Sequence, residues 1–512
     1  MTSDLMTAPA AAAAPPAQNP QHDRRWLILA VLGLVQLMVV LDATIVNIAL
    51  PTAQHALGFS NADRQWIVTG YALSFGSLLL LGGRLSDILG RKRTLMIGLA
   101  GFAAASALGG FSTSFTMLLS ARVLQGSFGA LLAPSALATL TTTFTDPSER
   151  GRAFGIYGAI AGGGGAIGLL LGGVLTSYAS WRWTLFVNLA IGAVAIAGAA
   201  ILLSNSRAAN RPHLDLPGAI TATAGLVALV YGFSHAETTS WGNTYTIASL
   251  VASAALLTIF VAIERRVSQP LLPLRIVVDR NRGGAFIAVF TSMAAQFGMF
   301  LFLTYYMQGT LHYSPVVTGA AYLPMIVALI GSAQIATNVL LPRFGPKVMV
   351  ATGMVMAAVA MLLLTRLGLH SSYATAILPT LLLLGLGLGQ VMAPAMSVAT
   401  VGMTSDAGIA SATVNTTQQV GGSVGTSLLN TLAASAVTAY ALANHATATS
   451  VATLQAQATV HGYHVVFTYA AVFLATGAVI AGLLLRRGAM ASLAREPSNA
   501  EGTTQAEPVL GA

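Results

Sequence analysis

Residues 26–50 read WLILAVLGLVQLMVVLDATIVNIAL, twenty-five positions with a single charge, Asp42. The hydrocarbon core of a bilayer takes about 20 apolar residues of α-helix, so this stretch is long enough to cross one. Runs of the same kind recur as far as Leu485. They make fourteen candidate spans: 26–50, 64–83, 94–112, 115–143, 153–177, 182–203, 215–235, 243–264, 283–306, 316–338, 347–366, 374–400, 409–437 and 465–485. The composition agrees. Of 512 residues, 55% are apolar and 8% charged, against about 25% charged in ordinary soluble domains, and mean hydropathy is +0.75. These values exclude a soluble enzyme, a nucleic-acid-binding domain and a disordered chain. The absence of cysteine removes a disulfide framework, a thiolate nucleophile and a Cys-ligated metal. The fold class expected is all-α, a polytopic membrane protein of fourteen transmembrane helices.

The net charge of +9 points to the same solvent. Of the 24 basic residues, 20 lie before span 1 or at the exits of even-numbered spans, Arg24, Arg25, Arg84, Arg91, Lys92 and Arg93 among them. Only Arg64, Arg182 and Arg366 fall on the other side, and Arg122 lies within a span. Basic loops stay cytoplasmic, so both termini are expected there. Residues 1–22, rich in Ala and Pro, and 488–512 read as disordered tails.

The chain repeats itself. Gly129-Ala130-Leu131-Leu132-Ala133-Pro134 is echoed 260 residues later by Gly389-Gln390-Val391-Met392-Ala393-Pro394, and Gly165 and Gly425 keep that offset. Gly90 and Lys92 return as Gly345 and Lys347 at an offset of 255. Three echoes in order suggest two homologous six-helix bundles, 23–205 and 267–487, with two inserted helices over 206–266. Repeats of this sort are a transporter architecture, with the substrate site where the repeats meet. No Gly-rich loop ends in the Lys of a P-loop and no polar segment has room for a nucleotide-binding domain, so ATP does not drive transport on this chain.

An ionisable group inside a span is costly and marks function by default. Asp42 in span 1 and Arg122 in span 4 lie ~12 Å and ~10 Å from the outer face at 1.5 Å of rise per residue. They can therefore share one cavity, directly or through water. Burial favours the neutral carboxyl and a nearby cation the charged one, so the pair can poise Asp42 to take and give a proton. The plainer alternative is an ion pair that only holds spans 1 and 4 together.

Leu41-Asp42-Ala43-Thr44-Ile45-Val46-Asn47-Ile48-Ala49-Leu50-Pro51 resembles the span-1 motif of the fourteen-span drug:proton antiporters of the major facilitator superfamily. The loop Gly83-Arg84-Leu85-Ser86-Asp87-Ile88-Leu89-Gly90-Arg91-Lys92-Arg93 resembles the superfamily's loop 2–3 signature, with Ile88 where relatives often have Arg. Arg122 with Gln125-Gly126 matches its span-4 motif, and residues 158–173 followed by Trp181-Arg182-Trp183 resemble the antiporter motif of span 5. Leu169 stands there in place of the usual Pro. The likeness covers the ordered chain and is nearest to actinobacterial exporters of antibiotics and toxic compounds. It implies a bacterial cytoplasmic-membrane antiporter that exports bulky amphipathic drugs, with Asp42 and Arg122 in proton coupling. It further implies a gating role for Gly83, Asp87, Gly90, Arg91 and Arg93, and helix packing by Gly158, Gly164, Gly168, Gly172 and Gly173.

Asn47, Trp66, Tyr71, Gln125, Gln296, Tyr305, Gln390, Asn415, Gln418 and Gln419 are expected to line the substrate cavity, where amides and aromatics suit an amphipathic compound. With no carboxylate in the spans of the second half, neutral or monovalent substrates are expected. No cofactor, metal or nucleic-acid partner is called for, nor catalysis; the partners are the small-molecule substrate, protons and lipid, and the chain is expected to be a monomer. Competing motifs are weaker. Residues 163–168 spell G-x-G-x-x-G without a preceding strand. Residues 421–425 match a nucleophile elbow around Ser423, but no histidine base lies in the interior of a span to serve an intramembrane hydrolase. His461 and His464, with His445 nearby, offer a metal only two close ligands. An uptake carrier or uniporter of the same fold remains the main rival function, and a non-transporting sensor is disfavoured by Asp42 and Arg122.

Overall fold

A computed structural model describes residues 24–144, 146–204, 215–267, 270–400, 407–444 and 450–486. Both expected tails, together with Arg207, Arg211, Arg487, Arg495, Asp406 and His445, lie outside the described residues.

Everything regular in the described chain is helical. The first six helices are α1 (Arg25–Leu57), α2 (Asn61–Leu89), α3 (Arg91–Gly110), α4 (Phe115–Thr143), α5 (Pro147–Tyr178) and α6 (Trp183–Leu202). Next come α7 (Leu216–Thr238), α8 (Thr244–Glu264), the short α9 (Leu274–Val278) and α10 (Arg280–Tyr305). The rest are α11 (Pro315–Ala321), α12 (Leu323–Ile335), α13 (Leu341–Leu364), α14 (Leu378–Thr400), α15 (Ala407–Asn444) and α16 (Val451–Leu484). Polar caps start them: Ser60, Ser114, Asp215, Asn243, Asp279, Ser314 and Ser450 each accept a backbone N–H of the first turn. Gly58, at φ 67°, ends α1 in the left-handed conformation that a glycine adopts freely.

Among the described residues, twelve helices are long and apolar enough to span a membrane, or thirteen when α2, bent by 53° between its two parts, is included. This is below the fourteen expected. One of the twelve, Pro315–Leu364, runs for 50 residues, about 75 Å at 1.5 Å per residue. Its backbone leaves the helical region at Gly345 (φ 72°, ψ 166°), between the expected spans 316–338 and 347–366. A second departure lies at 438–463, expected as a loop. There α15 continues to Asn444 and α16 starts at Val451, with Gly462 set against Val437 and Ala433. Hydropathy ends where the apolar run ends, whereas the helices continue as a packed hairpin restarted by the Ser450 cap.

The packing repeats with the sequence. In the first half α1 lies on α5 and α6, α4 on α2 and α3, and α3 on α6. In the second half α10 lies on α15 and α16, α14 on α12 and α13, and α13 on α16. The halves meet through α2 against α15 and α5 against α11, contacts that exchange under the same repeat. The α7–α8 hairpin breaks this symmetry, since α7 packs on α15 and α2 and covers one junction only. At the other junction a Cβ on Gly173 would lie 2.6 Å from the Val316 Cα, and one on Gly319 would lie 2.4 Å from the Leu169 carbonyl. Only glycine permits so close a crossing.

Candidate functional site

Asp42 and Arg122 are in direct contact. Arg122 Nη1 donates to Asp42 Oδ2 at 2.6 Å, with both side chains almost completely buried. The other carboxylate oxygen, Oδ1, accepts from Gln125 Nε2 at 2.9 Å and from Asn188 Nδ2 at 2.7 Å. Gln125 also accepts from Arg122 Nη1 at 2.7 Å and donates to Ser106 Oγ at 2.7 Å. The guanidinium stacks 4.3 Å above the Tyr71 ring, and Nε reaches the Ile67 carbonyl at 3.4 Å. Five helices, α1, α2, α3, α4 and α6, thus converge on one carboxylate. Three donors, one of them the Arg122 cation, reach its two oxygens; among the described residues it is the only carboxylate away from a helix end. Arg122 and Gln125 are three apart on α4, so both face α1.

Two residues expected on the substrate surface belong to this cluster instead. Tyr71 is buried beneath Arg122, and Gln125 is fully enclosed between Asp42 and Ser106. The reason is physical: once Asp42 is out of water its oxygens need donors, and Gln125 is on the same helix face as its counter-ion. Asn188 was absent from the sequence reading. A single Asn in the apolar α6, 146 residues from its partner, carries no signal until the fold is known.

The span-5 glycines hold α1 on both sides of Asp42. A Cβ on Gly164 would touch Leu37 and Val40, one on Gly168 would overlap the Thr44 hydroxyl at 2.1 Å, and one on Gly172 would approach the Ile45 carbonyl at 2.8 Å. Gly173, next in the chain, is the residue crossing α11. Gly158 has nothing among the described residues within 4 Å of such a Cβ. The two motif look-alikes resolve as packing of the same kind. Gly168 closes the first on α1, while Gly421 and Gly425 pack on Phe290 and Ala294 of α10. His461 lies 4.9 Å from the Tyr440 ring, and His464 Nε2 pairs with the Leu367 carbonyl, so the two histidines take separate partners.

In the α2–α3 loop, Gly90 makes the turn at φ 96°. Gly83 faces Pro134 of α4, and Arg91 donates to Thr142 Oγ1 at 2.7 Å. Asp87 sits in the fields of Arg91 and Arg84. Lys92 reaches the Ala200 carbonyl at 2.6 Å, and Arg93 is exposed beside it. Arg84 reaches furthest, donating to the Pro270 carbonyl at 2.7 Å in the segment leading to the second half.

The other expected cavity residues are dispersed. Asn47 donates to Ala43 of its own helix. Trp66, Gln296, Asn415 and Gln418 are half-buried. Gln419 sits against Gly76 at the α2–α15 junction, its Oε1 buried without a donor. Gln390 is turned into the α13–α14 contact, donating to Met356 Sδ at 3.5 Å and accepting from Thr352, so it does not face the junction of the halves. A helical position shows the face of a side chain but not which neighbour that face meets. Tyr305 lies under the Arg64 guanidinium, 3.2 Å from the ring centroid, in a cleft of about 830 Å³ at the α1–α2 loop face. Phe302, Gln308, Asn430 and Tyr463 share that cleft, and Gln308 crosses to the Ile48 carbonyl at 3.1 Å.

A bundle of apolar helices whose packing repeats, with a desolvated carboxylate–guanidinium pair among them, defines a multi-pass membrane protein. The Major Facilitator Superfamily profile matches residues 32–426, and the chain belongs to that family. It is 47% identical over 486 residues to the puromycin resistance protein of Streptomyces alboniger, covering 94% of this chain and 95% of that relative. It is 38% identical to the cephamycin export protein of Amycolatopsis lactamdurans, over 78% of this chain and 83% of that one. To the tetracenomycin C resistance and export protein of Streptomyces glaucescens it is 33% identical, over 85% and 81%. Among solved structures, a bacterial homologue of the human lysosomal transporter Spinster, inward-facing and unoccupied, superposes with a TM-score of 0.64 at 16% identity. That match covers 94% of this chain and 100% of the other.

Proposed function

We propose that this protein is a proton-coupled antiporter that exports a bulky amphipathic drug or antibiotic across a bacterial cytoplasmic membrane by alternating access. The observation that carries the reading is Asp42, a mid-helix carboxylate buried against Arg122. The names of its relatives support an antibiotic as cargo.

In this reading residues 23–205 and 267–487 are the two moving bundles, 206–266 is the inserted pair, both termini are cytoplasmic and the working unit is a monomer. The α1–α2 loop face is then external. It is the face where Gln308 meets Ile48 and Arg64 covers Tyr305, so the arrangement is closed to the outside. A proton reaching Asp42 removes its charge and weakens its bonds to Arg122, Gln125 and Asn188 together. The freed α1 is gripped by Gly164, Gly168 and Gly172 of α5, and α5 crosses α11 at Gly173, so the charge state of Asp42 is transmitted to a junction of the halves. The substrate occupies the space between the halves, with Asn47, Trp66, Gln296, Asn415, Gln418 and Gln419 as its polar contacts. Arg84, Asp87 and Arg91 act at the internal face.

Asp42→Asn keeps the shape and removes the charge. In proteoliposomes it should lose gradient-driven efflux while inserting and folding normally. Undiminished pH-gradient-dependent efflux by the purified variant would overturn the coupling role.

A further inference from the structure

Two carboxyl groups are buried together at the open end of the α7–α8 hairpin, away from the Asp42 cluster. Asp215 caps α7, its Oδ1 accepting the Gly218 N–H at 2.9 Å. Glu264 closes α8, its Oε2 accepting the Leu272 N–H at 2.9 Å. Both residues are about 95% buried. Their remaining oxygens, Asp215 Oδ2 and Glu264 Oε1, are sealed from water and receive no donor. Both lie within 3 Å of the point a Cβ on Gly218 would occupy, and the two side chains are in hydrogen-bond contact. Two acceptors in contact make a hydrogen bond only when one of them carries a proton.

The charges around the pair require the same thing. Among the described residues, those acting on Glu264 are Asp215 and a single cation, Arg84 of α2. Arg265 and Arg266 follow in the chain but are exposed. Two ionised carboxylates in contact repel strongly, and one guanidinium cannot neutralise both, so one shared proton balances the group.

We propose that Asp215 and Glu264 form a second proton-binding site, holding one proton between them, and that its occupancy is read by Arg84 of α2. With the proton in place, Arg84 is free to hold the Pro270 carbonyl. When the proton leaves the O–H···O for solvent at that face, two negative charges compete for the guanidinium. The link from α2 to the segment after α8 then loosens. Nothing is oxidised or reduced; a proton moves between the carboxyl pair and water. The site goes beyond the coupling role of Asp42 and stands whether or not that role does.

The test is infrared difference spectroscopy of the full-length protein in lipid nanodiscs across a pH titration, which needs no transport. The wild type should show the carbonyl stretch of a protonated carboxyl at neutral pH, lost on raising the pH with the slope of one proton. Asp42→Asn should retain that band, while Glu264→Gln and Asp215→Asn should each lack it. Arg84→Gln, lacking the nearest cation, should move its titration to higher pH. A wild type with no such band, or a band surviving both Glu264→Gln and Asp215→Asn, would overturn the proposal.

Discussion

Helix α4 carries Arg122 and Gln125 seven and four residues before Gly129; α14, whose Gly389 answers Gly129 at an offset of 260, carries Leu382 and Gly385 at the same places. Arg122 and Gln125 are wholly buried around Asp42. Leu382 is exposed, and Gly385 packs against the Met325 carbonyl. The helix pairing was duplicated faithfully and the chemistry was not. In the first half each polar group of the cluster has a partner, bar Asn188 Oδ1. In the second, the buried hydroxyls of Ser292, Ser423, Thr426 and Ser427 have none. One half holds a hydrogen-bonded charge cluster; the other places neutral hydroxyls where its helices pack.

The comparison is most exposed at Arg122. Arg122→Ala leaves Asp42 buried without its cation, and breaking a buried pair costs ~3–5 kcal/mol. The variant should melt well below wild type, and the pH profile of its residual transport should move to higher values, because nothing opposes protonation. Arg122→Lys keeps the charge but not the planar fork that reaches Asp42 and Gln125 together, and should retain partial activity. A wild-type pH profile in Arg122→Ala would reduce the pair to a structural contact.

Substrate charge probes the other half. With no carboxylate within α10 to α16, a second positive charge on a substrate enters unpaired, at a cost of roughly 2.5–3.5 kcal/mol. That is on the order of a hundredfold in affinity. Efflux assays that pair monovalent dyes with their divalent homologues should show export of the monovalent members alone. Equal export of both would contradict a neutral second half.

The link between the halves is tested by volume. Gly168→Val would drive a side chain into Thr44 and Leu41 beside Asp42, and overpacking of this kind costs ~1–3 kcal/mol. Transport should fall sharply while the Asp42–Arg122 pair stays intact. Gly158→Ala, where the added carbon meets nothing, should behave as wild type. Equal tolerance of both substitutions would show that α5 does not transmit the charge state of α1.

Asp42 and Arg122 were legible because a charge within an apolar run is rare, and helical rise alone put them at matching depth. Of the Gly echoes, that of Gly90 in Gly345 has a structural counterpart, since both adopt positive φ, 96° and 72°. Other features depended on the neighbour that a helix face meets. Gln390 turned toward Met356, and Tyr71 went beneath Arg122. The carboxyl pair of Asp215 and Glu264 arises from helix ends 49 residues apart that the α7–α8 hairpin brings together.

Asn188 makes the smallest change and discriminates most finely. It supplies one of three hydrogen bonds to Asp42, and a bond to a charged group contributes ~1.5–3 kcal/mol. Asn188→Ala leaves the Arg122 and Gln125 bonds in place, so the lower end applies, and ~1.4 kcal/mol corresponds to about one pH unit. Losing a donor to the anion favours its protonated form, so the transport profile should shift upward by about that amount. Asn188→Asp would instead set a second carboxylate against Asp42 and shift it further in the same direction. Maximal rate should be nearly unchanged in Asn188→Ala, because the proton-binding carboxylate and its counter-ion both remain. A fall in maximal rate with no shift in pH would mean that Asn188 only braces α6 against α1, and that Arg122 and Gln125 alone set the charge state of Asp42.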